Sequence, residues 1–143
     1  MGTLKNLVQK IVFIFLPSEQ KEVIVTLQDY AESFMAFEPE GVLGYFDLPM
    51  TFLSDDGTVI FTSRQEIATY VSGLMHDLKE AEYARDKLSK FRINALSPNV
   101  AVTSFHLVRV NRSGESIGRF RAAYTWRKSD GAWKLVIAVL MTR

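Results

Sequence analysis

The chain has 143 residues, of which 48% are hydrophobic and 23% charged, so it is long enough to fold as one domain with a sizeable core. Its formal net charge of +1 gives no reason to expect a nucleic-acid partner or an acidic membrane surface. The absence of cysteine excludes disulfides, thiol catalysis and zinc–thiolate sites, and it fits a cytoplasmic location.

Residues 1–17 are predicted to form an apolar N-terminal extension to a single domain that covers residues 18–143. The apolar stretch 7–16 is too short to span roughly 30 Å of membrane hydrocarbon. No small-residue cleavage site of a signal peptide follows it. We expect the stretch to pack on the domain or on a second subunit, with a membrane or signal function as the less favoured alternative.

The next region predicts two helices. Apolar residues recur at intervals of three and four, which is typical of one buried helix face: Val23, Leu27, Tyr30, Phe34 and Phe37. The sequence Glu38-Pro39-Glu40 ends this helix and begins a short second one, because proline suits a first helical turn and carboxylates complement its positive end.

A hairpin and a third helix are predicted after it. Residues 49–54 and 58–62 have strand character on either side of the turn Asp55-Asp56-Gly57. Ser63 and Glu66 match a capping box, which predicts a helix through about residue 79. Residues 80–90 fit either an extension of this helix or the start of a charged strand over 83–96, and the pattern leaves both open.

Three consecutive strands are predicted for residues 100–111, 116–128 and 132–142, because two turn sequences separate runs of alternating residues. Counting outward from the second turn places Ala122 opposite Ala138 and Tyr124 opposite Val136. Two small residues side by side on an aromatic and aliphatic face leave room beneath them. The pattern therefore predicts a cavity for a small ligand on this face.

The other face of the predicted sheet combines basic and apolar residues. Three arginines of the middle strand, Arg119, Arg121 and Arg127, could bind an anion or pair with carboxylates of a second subunit, and the near-neutral net charge favours the second interpretation. The last strand contributes a continuous apolar row: Trp133, Leu135, Ile137, Val139 and Met141. Such a row is unusual on a solvated face, so we expect a homodimer through this outer sheet face.

Metal binding is not expected. The sequence has two histidines, His76 and His106, and neither occurs in a spacing typical of a metal site. The strand register places His106 on the outer face opposite Arg121, and His76 falls on the polar side of the third helix. We predict neither a metal nor another cofactor.

Helices followed by a long antiparallel sheet indicate an α+β fold with the helices on one face of the sheet. This order resembles the nuclear-transport-factor-2-like superfamily, also called SnoaL-like, ketosteroid-isomerase-like or cystatin-like. The resemblance covers residues 23–142 and is carried by residues 30–34, 38–46, 50–57, the cap at Ser63 and the ending 124–136. The resemblance implies N-terminal helices packed in the concave face of a strongly curved antiparallel sheet, a cone around a long helix with one pocket at its open end, and frequent dimers.

The ketosteroid isomerases of this superfamily provide a test of activity. By the same resemblance, Tyr30 falls at the position of their oxyanion-binding tyrosine. Their general-base aspartate falls at Ser54, and their acidic hydrogen-bond donor falls near Ala123. Serine without an adjacent base cannot move a carbon-bound proton, so isomerase chemistry of that type is disfavoured.

Two functions from different classes remain. The leading hypothesis is a homodimer that binds a small hydrophobic molecule in a mainly apolar pocket, with these ligand-binding residues: Tyr30, Phe34, Phe52, Ser54, Phe105, Ala122, Tyr124, Trp126, Ala138 and Leu140. The alternative is an isomerase, dehydratase or cyclase that uses Asp55 or Asp56 as the base and Tyr30 as the oxyanion donor. Asp-Asp-Gly is also ordinary turn chemistry. An assembly module with a vestigial pocket is a third, weaker hypothesis.

Overall fold

The computed structural model describes residues 16–143, so most of the predicted N-terminal extension lies outside the described residues. Three helices and six strands follow in chain order: α1 (Ser18–Met35), α2 (Pro39–Leu43), β1 (Phe46–Ser54), β2 (Gly57–Phe61), α3 (Arg64–Glu80), β3 (Tyr83–Ser97), β4 (Val100–Asn111), β5 (Ser116–Ser129) and β6 (Ala132–Thr142). The helices pack on one side of a curved, unclosed sheet, which confirms the predicted α+β class.

The six strands form one sheet in the order β2-β1-β6-β5-β4-β3. Neighbouring strands are antiparallel except for β1 and β6, which are parallel. The parallel pair arises because α3 and three long strands intervene between β1 and β6 in the chain, so β6 returns beside the first hairpin. We call the side that faces α1 and α3 the inner face and the opposite side the outer face.

Helix α1 forms where the apolar spacing predicts it. Val23, Ile24, Leu27 and Phe34 are buried against the sheet, on one stripe of the helix. Burial of such side chains contributes about 1.5–3 kcal/mol each relative to their exposure, and packing rather than propensity therefore holds this helix in place.

Ser63 is the N-cap of α3, as its sequence predicts. The Ser63 side chain accepts a hydrogen bond from the backbone N–H of Glu66 at 3.2 Å. The Glu66 carboxylate departs from the usual capping box, because it accepts from the backbone and hydroxyl of Thr62 as well as from the Ser63 hydroxyl.

The structure resolves the open choice after α3. The helix ends at Glu80, and Glu82 adopts a positive φ of 57°, a conformation that a continuing helix does not allow. Strand β3 then begins at Tyr83 and pairs with β4 along its length.

The predicted register between β5 and β6 is wrong. Tyr124 lies opposite Ala138, and Ala122 lies opposite Leu140. The pairing is displaced by one residue already at the turn, where Ser129 lies opposite Ala132, and an irregularity between Thr125 and Trp126 passes over one residue of β6 and adds a second displacement. Both alanines still face inward, but they are diagonal neighbours rather than directly opposite.

The same irregularity changes the composition of the outer face. Leu135 is 1% exposed and Trp133 is buried, with its indole N–H donating to Glu22 on α1 at 3.0 Å. Beyond the irregularity, Ile137 is 39% exposed and faces outward. The predicted continuous apolar row on the outer face is therefore wrong for its first two residues, and the prediction of a homodimer loses part of its support.

Candidate functional site

Two adjoining cavities lie between the helices and the inner face of the sheet, with volumes of about 50 Å³ and 90 Å³. Four residues line both cavities: Tyr30, Phe34, Arg109 and Tyr124. We call the two cavities together the inner cavity. Its remaining walls are almost entirely apolar and come from α1, α3 and every strand of the sheet.

Tyr30 and Phe34 reach the inner cavity because they lie one helical turn apart on the buried face of α1. The ring of Tyr30 packs edge-on against Tyr45, Phe46 and Tyr124, with centroids 5.8, 5.8 and 6.4 Å away. Contacts of this kind fix the ring position and therefore direct the hydroxyl.

Arg109 and Asp86 form an ion pair at the cavity wall. They are direct cross-strand partners, and Arg109 Nε lies 3.3 Å from Asp86 Oδ1. Their side chains are only 12% and 19% exposed, respectively. The guanidinium of Arg109 also lies over the rings of Phe34 and Phe120, at 5.7 and 5.6 Å from the centroids.

This pair is not saturated with hydrogen bonds. Arg109 Nε, Asp86 Oδ1 and the hydroxyl of Tyr83 are buried without a well-aligned hydrogen bond. The 3.3 Å contact between Arg109 and Asp86 is thus an ion pair without good hydrogen-bond geometry. Buried polar atoms normally find well-aligned partners, so the hydrogen-bonding capacity of Arg109 and Asp86 is incompletely used at the cavity wall.

Burial sets the protonation of the cavity groups. Desolvation raises the pKa of Asp86 above its ordinary value, and the attraction of Arg109 opposes this only in part. Desolvation also raises the pKa of Tyr124 to about 12 and that of Tyr30 further. Both tyrosines are therefore neutral hydroxyls near pH 7. Within residues 16–143, neither hydroxyl takes part in a hydrogen bond, which leaves both available to a ligand.

The structure places seven of the ten predicted ligand-binding residues at the inner cavity. These are Tyr30, Phe34, Phe52, Phe105, Tyr124, Ala138 and Leu140. Trp126 is instead fully buried, with its indole N–H donating to Thr103 at 3.0 Å. Ser54 accepts a hydrogen bond from the backbone of Asp56 in the exposed turn, and Ala122 is buried in the core without lining either part of the inner cavity.

The two predicted catalytic aspartates lie outside the inner cavity. Asp55 and Asp56 are exposed at the turn between β1 and β2. Asp55 Oδ2 accepts from the backbone N–H of Thr142 at 2.9 Å, and hydrogen bonds from Thr142 lower the pKa of Asp55. A lowered pKa makes Asp55 a weaker base, and its position separates it from Tyr30.

Asp86 and Arg109 were not among the residues predicted for the site. Arg109 could have been found, since alternation from Phe105 and Leu107 along β4 points it inward. Asp86 could not be placed, because residues 80–90 fitted both a helix and a strand.

In the part of the chain that the structure describes, no group of three His, Asp or Glu residues could hold a metal ion. Within the same part, no helix is long and apolar enough to cross a membrane.

Comparisons with solved structures show the fold of the chain. An NTF2-like protein with a cystatin-like fold from Novosphingobium aromaticivorans is 17% identical, with a TM-score of 0.73 over 99% of this chain and 91% of that chain. A cystatin-like protein of unknown function from Nostoc punctiforme is 16% identical, with a TM-score of 0.69 over 87% and 90% of the two chains. A candidate dehydratase of the NTF2-like family from Streptomyces avermitilis is 11% identical, with a TM-score of 0.69 over 88% and 97%.

No match was found among curated proteins. At the level of sequence families, residues 20–143 match the profile described as NTF2-like protein (DUF6841). This match covers nearly all of the described chain and agrees with the resemblance carried by the sequence. The chain belongs to the NTF2-like family DUF6841.

Proposed function

We propose that the protein binds a small, mainly apolar molecule that carries one neutral hydrogen-bond acceptor, such as a carbonyl oxygen, in the inner cavity. The observation that supports this most directly is the convergence of Tyr30, Tyr124 and Arg109 on an otherwise apolar cavity. Apolar walls with a few placed polar groups are the usual design of a ligand site.

The acceptor is expected to be neutral for an electrostatic reason. The positive charge of Arg109 is already paired with Asp86, and Tyr30 and Tyr124 are neutral donors. A second carboxylate beside Asp86 would meet a like charge in a poorly solvated site, whereas a carbonyl oxygen accepts from the tyrosine hydroxyls at no such cost.

The cavity volume limits the ligand to a small molecule. Volumes of about 50 Å³ and 90 Å³ are below the range of roughly 300–1,000 Å³ typical of drug-sized ligands. A cavity of about 150 Å³ can hold a single benzene ring. We therefore expect molecules of about one ring, unless side chains at the wall move on binding.

A matched series of one-ring probes tests the proposal. Toluene, acetophenone and benzoate share the ring and differ in the oxygen atoms they carry, and binding is measured by calorimetry and by NMR shifts of cavity residues. We expect acetophenone to bind most tightly. No saturable binding by any of the three, or toluene binding as tightly as acetophenone, would contradict the proposal.

Removing one hydroxyl sharpens the test. Tyr124→Phe deletes a single donor and should weaken acetophenone binding by roughly threefold to tenfold, as expected for one hydrogen bond. Toluene binding should not change. Tyr45→Phe is the matched control, because Tyr45 contacts Tyr30 but lines neither part of the inner cavity.

The predicted homodimer is retained as a proposal in a narrower form. Ile137, Val139 and Met141 still face outward on β6 and could pack against a second copy through the centre of the outer face. Light scattering on the purified protein tests this, with Ile137→Lys expected to shift a dimer to a monomer. A monomeric wild-type protein would remove the proposal.

Proton-transfer catalysis in the inner cavity is a second candidate function. It is supported by the raised pKa of Asp86, because a carboxylate with a raised pKa beside tyrosine donors is suited to acid–base work near neutral pH. The base would then be Asp86 rather than Asp55 or Asp56. NMR titration of the Asp86 carboxyl carbon tests this candidate, and a pKa at or below the ordinary aspartate value would contradict it.

A further inference from the structure

The charges of this chain are strongly separated along the sequence. Residues 83–143 hold twelve of the 17 Lys and Arg residues but three of the 16 carboxylates. Of those three, Asp86 faces the inner cavity, while Glu115 and Asp130 lie in the turns that flank β5. The outer positions of β3, β5 and β6 therefore carry cations, and no outer position of β3 to β6 carries a carboxylate.

Part of this cationic surface is concave. The pairing of β3 with β4 is irregular between Ser89 and Arg92, and Lys90 adopts a positive φ of 52° there. An open depression of about 730 Å³ lies at this point. We call it the basic depression and define it by its polar residues: Lys90, Arg92, Ser104, His106 and Arg121.

The positive charge of the basic depression is not neutralised within the described chain. None of the ion pairs formed among residues 16–143 involves Lys90, Arg92 or Arg121. Register places Arg121 directly opposite His106 and Ser104 opposite Arg92. Cations from the two strands that flank β4 thus converge on one imidazole and one hydroxyl of β4.

His106 responds to this surrounding charge. Desolvation lowers its pKa, and the cations of Arg143, Lys90 and Arg121 lower it further. These groups come from β3, from β5 and from the end of the chain after β6, and Arg92 adds a further cation from β3. An anion placed among them would oppose all of these charges at once.

We propose that the basic depression binds the phosphate group of a small phosphorylated molecule. Two guanidinium groups supply paired donors that match phosphate oxygens, and Lys90 and the Ser104 hydroxyl supply further donors. The concave shape and an overall charge of only +1 favour a compact anion over nucleic acid.

The two histidines make a direct test. Ring-proton NMR at constant ionic strength follows His106 and His76 while sulfate, inorganic phosphate or glycerol phosphate is added. We expect a saturable shift of the His106 signal and no matching shift of His76, which lies on α3 away from the depression. Sulfate keeps the same charge between about pH 5.5 and pH 8, whereas His106 gains a proton as the pH falls, so sulfate should bind more tightly at the lower pH.

Variants distinguish specific binding of an anion at the basic depression from non-specific screening of charge. Arg121→Gln should weaken sulfate and glycerol phosphate binding about tenfold or more, as expected for loss of a charge-assisted contact. Arg64→Gln is the matched control, since Arg64 is an exposed arginine on α3. His106→Gln should retain binding but lose its pH dependence. Arg121 and His106 do not line the inner cavity, so acetophenone binding should be the same in Arg121→Gln, His106→Gln and wild type.

Several outcomes would overturn the proposal. Parallel, non-saturating shifts of both histidines would mean that the anions only screen charge. Equal effects of Arg121→Gln and Arg64→Gln on anion affinity would mean that the anions do not bind specifically at the basic depression. Binding of a single-stranded RNA oligonucleotide, or of phosphatidylcholine vesicles that contain phosphatidic acid, without binding of free glycerol phosphate would assign the surface to a polyanion or a membrane instead.

Discussion

The two faces of the same sheet hold arginine side chains in opposite environments, one poorly solvated and paired, the other exposed and unpaired within the described residues. On the inner face, Arg109 is poorly solvated, paired with Asp86 and held between two aromatic rings. On the outer face, Arg121 is exposed and has no ion-pair partner among residues 16–143. Both arginines belong to neighbouring strands, β4 and β5, so the difference comes from side-chain direction alone.

The contrast shows how one sheet can offer two kinds of site. A further charge placed beside a desolvated ion pair would lack a partner, which costs free energy, so the inner face is suited to a neutral ligand. Exposed cations cost little and attract anions from solution, so the outer face is suited to a charged ligand.

The largest expected effect compares two residues of β6 on either side of its irregularity. Leu135→Ala should lower the free energy of unfolding by about 3 kcal/mol, because it leaves a cavity beneath a residue that is 1% exposed. Ile137→Ala should cost less than about 1 kcal/mol, since Ile137 is 39% exposed. Urea unfolding measures both. Equal losses would mean that the register of β6 differs from the one described.

The next effect compares the two arginines. Arg109→Met should destabilise the fold by about 3 kcal/mol, because it leaves the carboxylate of Asp86 buried without its partner. Arg121→Met should change stability by less than about 0.5 kcal/mol. A double variant, Asp86→Leu with Arg109→Met, should be more stable than Arg109→Met alone. If the double variant is the less stable one, the pair is held by more than its charges.

Sequence patterns were sufficient for the fold and for most of the cavity wall. The spacing on α1 identified Tyr30 and Phe34, and alternation on β5 and β6 identified Tyr124, Ala138 and Leu140 as inward-facing. These residues follow from local periodicity, which survives small errors in strand pairing.

Other features depended on information that local patterns do not contain. The irregularity in β6 has no glycine or proline to mark it, so Leu135 was assigned to the wrong face. Asp86 fell in a stretch with both helical and strand character, and only pairing with β4 decides between them. Alternation along β5 placed Trp126 inward, but its hydrogen bond to Thr103, 23 residues away, is a long-range contact that distinguishes a core residue from a cavity-lining one.

The smallest expected effect is on how the free energy of unfolding depends on pH. The trend should have opposite signs for substitution of Asp86, at the inner cavity, and of Asp55, on the exposed turn. The pKa of Asp86 is raised in the folded protein, so wild type loses stability as the pH rises from the unfolded value of about 3.9 through the folded pKa. Asparagine cannot ionise. The stability of Asp86→Asn relative to wild type should therefore rise with pH across that window.

Asp55→Asn is the matched control on the exposed turn. Hydrogen bonds from Thr142 lower the pKa of Asp55, so wild type gains stability as the pH rises through the folded pKa toward about 3.9. The stability of Asp55→Asn relative to wild type should fall over this acid window and then stay constant. Urea unfolding of all three proteins from acid to neutral pH measures both trends. Because all other carboxyl groups are common to the three proteins, trends in the same direction would show that the folded pKa of Asp86 is lowered rather than raised, and the proton-transfer candidate would then lose its base.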